Sequence, residues 1–181
     1  MSTTTTPRSH SDVRTTDTRR PGTIGVLAGL TRISLGWVFL WAFLDKTFGL
    51  GFATEKKDAW LDGGSPTFGF LEFGTKGPFK DAFASFAGAT WADWLFMIGL
   101  LGIGLGLMLG VMVRISAWSG ALMMVLMWAA ALAPENNPFM DDHIVYALVL
   151  LLLAEMGAGR WLGLGGWWER QAVVEKNPAL R

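Results

Sequence analysis

The chain has no cysteine among its 181 residues, only two histidines and one tyrosine, and only 17 % charged residues. Without cysteine there is no CxxC dithiol, no thiolate-bound iron-sulfur cluster, no covalent c-type haem and no cysteine zinc site. Redox chemistry on this chain therefore has to use a bound small molecule or a partner. Fifteen basic and fifteen acidic residues leave a formal net charge of zero, so no excess of positive charge draws in nucleic acid, which is excluded as a partner. What abounds is apolar surface: 51 % of residues are hydrophobic, a share that points to a membrane protein.

Residues 1–22, "MSTTTTPRSHSDVRTTDTRRPG", are polar, Thr-rich and basic, and read as a disordered cytoplasmic arm. The apolar stretch behind them is too long for a signal peptide, contains Arg32, and lacks a small-residue cleavage pattern. It is expected to be retained as a membrane span. Four spans are expected, at about 24–45, 93–112, 114–133 and 140–160. The first, "IGVLAGLTRISLGWVFLWAFL", covers roughly 30 Å at helical rise, one hydrocarbon core. The second and third are joined by a tight turn near Gly110 to Arg114. In the fourth, "DDHIVYALVLLLLAEM", the uncharged part from Ile144 to Ala154 would cover only about 16 Å, so a crossing has to include His143, Glu155 or both.

The fold expected is all-α: an integral membrane four-helix bundle over residues 23–168, with a cytoplasmic tail at 169–181. A long extracytoplasmic loop, residues 46–92, links the first two helices. Within it "GPFKDAFASFAG" sets Phe79, Phe83 and Phe86 at helical spacing behind Pro78. This predicts a short surface helix, either lying on the membrane or packed on its own loop. Outside the first span, the arginines lie in the N-terminal arm, at Arg114 and from Arg160 onward, whereas residues 45–93 carry only lysines, outnumbered by acids. The positive-inside rule then puts both termini in the cytoplasm.

Several groups stand where chemistry could use them. Arg32 sits roughly 12 Å inside the first span, and Glu155 falls at a comparable depth in the fourth. An unpaired charge at such depth costs several kcal/mol, so the two are expected to pair, either fixing helix register or shaping a cavity for an anionic or quinone head group. At the opposite membrane level stand Asp45 and Lys46 at the end of the first span, and Asp141, Asp142 and His143 at the start of the fourth. A histidine amid carboxylates there could exchange protons with water, while Asp141 or Asp142 suits the N-cap of the fourth helix. Trp37 and Trp41, one turn apart, could stack on a flat ring, although such aromatics more often simply pack. Gly102, Gly106 and Gly110, with Gly99 nearby, suggest a helix face for close packing. No HxxxH or HxxE pair fixes ligands on one helix face, so no metal site is expected.

The segments "TRISLGWVFLWAFLDKTFG", "GGSPTFGFLEFGTKGPF", "PENNPFMDDHIVYALVLLLLA" and "GAGRWLGLGGWW" together resemble the DoxX/DoxD family of small four-helix bacterial membrane proteins. The family includes the membrane subunit of thiosulfate:quinone oxidoreductase, which oxidises thiosulfate and passes electrons to quinone together with a smaller second subunit. The resemblance implies the bacterial inner (cytoplasmic) membrane, quinone as cofactor, and membrane lipid and a second subunit as partners. It covers Arg32, Asp45, Lys46, residues 65–78, Asp141, Asp142 and His143, and assigns no catalytic role to any of them.

Two functions follow as expectations. One is a quinone-linked oxidoreductase subunit with His143, Lys46 and Asp45 as candidate catalytic groups, and Arg32, Glu155, Trp37 and Trp41 lining a quinone or anion cavity. The alternative is a non-catalytic anchor or assembly subunit for a soluble redox partner or an oxidative-stress complex. Transport, a third class, would require a homo-oligomer.

Overall fold

The computed structural model describes residues 22–134 and 137–180, and the expected N-terminal arm lies outside them apart from Gly22. Every regular element among the described residues is helical. The four longest are α1 (Thr23–Phe48), α3 (Thr90–Leu109), α4 (Val113–Ala130) and α5 (Asp142–Glu155), and α2 is a single turn at Lys80–Ala84. Behind α5 follow α6 (Gly165–Trp168) and α7 (Ala172–Lys176).

At 1.5 Å per residue α1, α3 and α4 are about 39, 30 and 27 Å long, and all three are long and apolar enough to cross a membrane. The fourth expected span differs. Helix α5 has 14 residues, about 21 Å, and stops at Glu155 because Gly157 takes a left-handed conformation (φ 63°) and the chain tightens into a 3-10 turn at Ala158–Arg160.

The turn between α3 and α4 falls where glycine spacing placed it. Gly110, at φ 74°, closes α3, and Met112 at φ 52° precedes α4. Helices α1 and α3 run antiparallel in close contact, as do α4 and α5, with α3 also against α4. Phe39, Met97, Leu100, Ile103, Ala117 and Leu150 are buried between them. Outward-facing side chains such as Leu27, Leu95, Ile98, Leu122 and Leu148 are more than half exposed, as expected of helices whose outer faces meet lipid.

The expected glycine face is used only in part, and the close backbone approach of two helices falls elsewhere. A Cβ on Gly104 would stand 2.8 Å from the Leu40 main-chain nitrogen, and one on Gly36 2.8 Å from that of Met108, so this pair lets α1 and α3 approach. Gly102 instead faces open space, Gly99 and Gly106 abut side chains of α4, and Gly110 serves the turn. Helix α3 lies between two neighbours, and Gly102 and Gly104 are about 200° apart on it, so a single stripe could not serve both.

At one end of the helices, the loop end, residues 49–89 fold over α1 and α3. Asp45 is buried and accepts the main-chain N–H groups of Phe52 (3.3 Å) and Ala53 (3.0 Å). Lys76 N–H donates to Ala130 O at 2.8 Å, tying the loop to the end of α4. The short helix expected behind Pro78 is present as a 3-10 turn, Gly77–Phe79, running into α2. At the other end, the turn end, the tail is folded: Trp168 Nε1 donates to Leu180 O at 2.6 Å, Val174 is buried, and Pro178–Leu180 packs on α4.

Overpacking by a methyl group at a tight contact costs about 1–3 kcal/mol. Gly104→Ala is therefore expected to lower unfolding stability by that amount in detergent. Gly102→Ala, made into open space on the same helix, should be neutral or stabilising. Thermal unfolding followed by circular dichroism checks the contrast.

Candidate functional site

Arg32, on the third turn of α1, has no solvent-exposed surface. Its Nη1 donates to the carbonyls of Leu107 and Met108 (3.2 Å to the latter), and its Nη2 to those of Trp161 (3.2 Å) and Leu162 (3.0 Å). Leu107 and Met108 lie in the last turn of α3, where carbonyls have no partner within the helix. The other two carbonyls of that turn are also served: Gly106 O accepts from Gly110 and Val111 N–H, and Leu109 O from Leu164 N–H at 2.8 Å. A cation at a helix C-terminus also meets the negative end of the helix dipole. Arg32 is thus held by main chain, with only Nε lacking a hydrogen-bond partner among the described residues.

The expected Arg32–Glu155 pair is therefore absent. Glu155 is exposed and lines a cavity of about 220 Å³ at the turn end together with Arg114, Arg160, Trp168 and Glu169. Depth matched the two residues, but carbonyls from α3 and from residues 161–162 reach the guanidinium instead. In that cavity Arg160 Nε donates to both carboxylate oxygens of Glu169 (2.9 and 3.0 Å). This bond pushes the Arg160 pKa above its ordinary value.

The loop end brings three of the expected residues together. Asp141 is the N-cap of α5, its Oδ1 accepting from Ile144 N–H at 3.3 Å. Its Oδ2 lies 2.8 Å from His143 Nδ1, with Asp142 Oδ1 at 3.6 Å from the same nitrogen. A carboxylate only accepts, so Nδ1 carries the hydrogen and Nε2 is left for another partner. One ligand atom from each of Asp141, Asp142 and His143 falls within 4.8 Å of the others. Three donors are the protein share of an open tetrahedral metal site, but here Asp141 is already engaged with His143 and the N-cap bond. Asp141 and Asp142 also line a cavity of about 390 Å³ with Gly74, Lys76, Ala131 and Pro134.

Asp45 and Lys46 do not join this group. Both oxygens of Asp45 are bonded to the loop main chain, Lys46 is half-buried beside it, and no hydrogen bond or ion pair among the described residues links either to His143. Trp37 and Trp41 lie 5.7 Å apart between ring centroids, and Trp41 meets Phe52 edge-on at 5.1 Å. They form an aromatic cluster on the outside of α1, with Trp37 48 % exposed. Arg32, Glu155 and these tryptophans thus occupy separate places and line no common cavity.

Two features lay outside the sequence reading. Asp93, buried in the first turns of α3, accepts at Oδ1 from Ser65 Oγ (2.8 Å), Thr67 N (3.1 Å) and Thr67 Oγ1 (2.6 Å). A lone acid opening an apolar run, with a Ser-Pro-Thr loop elsewhere to serve, was the available signal. The other is a wholly apolar groove of about 330 Å³ between α4 and α5, lined by Trp118, Leu122, Val125, Ile144, Ala147 and Leu148 among others. Its end at Ile144 follows directly on His143. Comparison with known protein families, curated proteins and solved structures gives no match to this chain.

Two tests separate these roles. Arg32→Leu removes the partner of four carbonyls, that of Leu107 buried and the others part-buried, and Arg32→Lys replaces a planar fork with a point charge, so both should cost about 2–5 kcal/mol. Glu155→Gln should change stability by less than about 0.5 kcal/mol, measured by denaturant unfolding in micelles. Asp93→Ala removes the carboxylate that gathers Ser65 and Thr67, and is expected to speed proteolytic cleavage within residues 63–78 severalfold while α3 stays helical.

Proposed function

We propose that the chain is a membrane subunit of a quinone-linked redox system, with quinone seated on α4 and α5 at the loop end. The observation that carries this reading is the apolar groove beginning at Ile144, beside the hydrogen-bonded His143–Asp141 pair. An isoprenoid tail fits a groove of that lining, and the free His143 Nε2 is placed to exchange a proton with a quinone oxygen as the ring gains or loses two electrons and two protons. The loop end is then the outer face, with Arg114, Arg160 and Arg170 on the cytoplasmic side, as in the DoxX/DoxD proteins that the quoted segments resemble. Helix α5 completes a fourth crossing with the residues that flank it at either end. The cavity beside His143 carries Lys76 together with Asp141 and Asp142, and the electrons come from a second subunit, as the resemblance to the DoxX/DoxD proteins implies.

Trp118 lines the groove, so a bound quinone, an efficient fluorescence quencher, reports its own binding. Titrating the reconstituted protein with a short-chain ubiquinone analogue should give saturable quenching. His143→Ala should weaken it about tenfold, the loss of roughly one hydrogen bond, and Leu148→Arg should abolish it. Quenching that rises linearly with quinone in every variant would overturn the proposal.

The anchor reading has its own support in the packed interior, where both terminal nitrogens of Arg32 are engaged by main chain. A co-purifying redox enzyme whose quinone reductase activity survives His143→Ala would favour it.

A further inference from the structure

The loop between α1 and α3 mixes charged and aromatic side chains along its length. Its first part carries charges that pair with one another in the open: Lys56 with Asp62 at 3.0 Å and Lys57 with Glu55 at 3.1 Å. From Phe68 onward it exposes large aromatic rings among the charged Glu72, Lys76, Lys80 and Asp81, with Phe73 77 % exposed and Phe68, Phe79 and Phe86 each above 40 %. A water-facing loop would not ordinarily leave so many phenyl groups in solvent.

These rings continue the apolar faces of the long helices. Phe86 packs edge-on against Trp91 at 5.4 Å, and Trp91 is itself exposed on the first turn of α3. The same arrangement recurs where Phe52 meets Trp41 at 5.1 Å, beside the exposed Trp37, and where Phe139 meets Trp128 at 5.3 Å. Three loop-borne phenylalanines thus each touch a tryptophan of a different apolar helix. Tryptophan at helix ends marks the level of lipid head groups.

We propose that the second half of this loop, Phe68 to Ala89, is a lipid-binding collar that lies in the membrane–water interface, with Phe73 and Phe79 buried at the boundary of the acyl chains. The occupant is the bilayer, because the exposed rings join, through Phe86 against Trp91, the exposed apolar surface of α3, and a segment that mixes such rings with exposed charges suits the membrane–water interface. The collar keeps the ion-paired segment 55–62 on the aqueous side. It also places the loop's own attachment points, Asp93 and the Lys76 to Ala130 hydrogen bond, at the depth of the interface.

The absence of cysteine allows a direct test. Single-cysteine variants F73C, F79C and K57C of the full chain, spin-labelled in phosphatidylcholine–phosphatidylglycerol liposomes, report accessibility to oxygen, which partitions into lipid, and to a water-soluble nickel chelate. Labels at 73 and 79 should favour oxygen over the chelate severalfold relative to the label at 57. F86C gives the same reading should either collar variant fail to fold. Equal nickel accessibility at 57, 73 and 79 would overturn the proposal. So would shielding of 73 and 79 from both reagents with spin–spin broadening that fades on dilution in lipid, which would assign the surface to a second copy of this chain.

Discussion

One buried cation organises the turn end. Arg32 reaches from α1 to the last-turn carbonyls of α3 and to the main chain just beyond α5, so three separate stretches of sequence are held by a single planar group. The geometry leaves no room for side chains around it. A Cβ on Gly110 would stand 3.1 Å from Nη1, and one on Gly163 2.8 Å from Nη2. This explains part of the glycine content of "GAGRWLGLGG": the chain there must approach a guanidinium with its carbonyls. An arginine does this where a lysine could not, because its fork offers parallel donors to two pairs of acceptors.

The loop end uses the opposite charge for the opposite need. There the unsatisfied groups are N–H donors, and three aspartates supply acceptors: Asp45 to Phe52 and Ala53, Asp93 to Thr67, and Asp141 to Ile144. Each carboxylate fastens a turn or a helix start to the body of the protein. Together with Arg32 they make a partition in which a cation serves carbonyls at one end and anions serve amides at the other. Charge is thereby kept inside an apolar protein without relying on buried ion pairs, whose desolvation often offsets their attraction.

Much of the architecture was legible because composition and helical length are collective properties. Three long apolar helices, the turn at Gly110, the helix behind Pro78 and the aspartate cap of the last helix all follow from local chemistry that a single sequence carries. The partner of Arg32 was not legible, because depth arithmetic compares side chains and is blind to main-chain carbonyls delivered from residues 107, 108, 161 and 162. The end of α5 could have been read from Gly157 and Gly159, which stop a helix. The apolar residues before them argued for continuation only if a full crossing was assumed. Asp45 illustrates a further limit: its proximity in sequence to Lys46 suggested chemistry, whereas burial and two N–H bonds give it a structural task.

This partition also restricts where chemistry can occur. Arg32, Asp45 and Asp93 are buried and bonded, so a ligand could recruit them only by breaking the contacts that hold the ends together. Two pairs of groups with unused capacity stand at the margins among the described residues: His143 Nε2 with Asp142 at the loop end, and Arg114 with Glu155 at the turn end. Of the two, the loop end has a polar pair that directly precedes, in sequence, a residue of the apolar groove, Ile144.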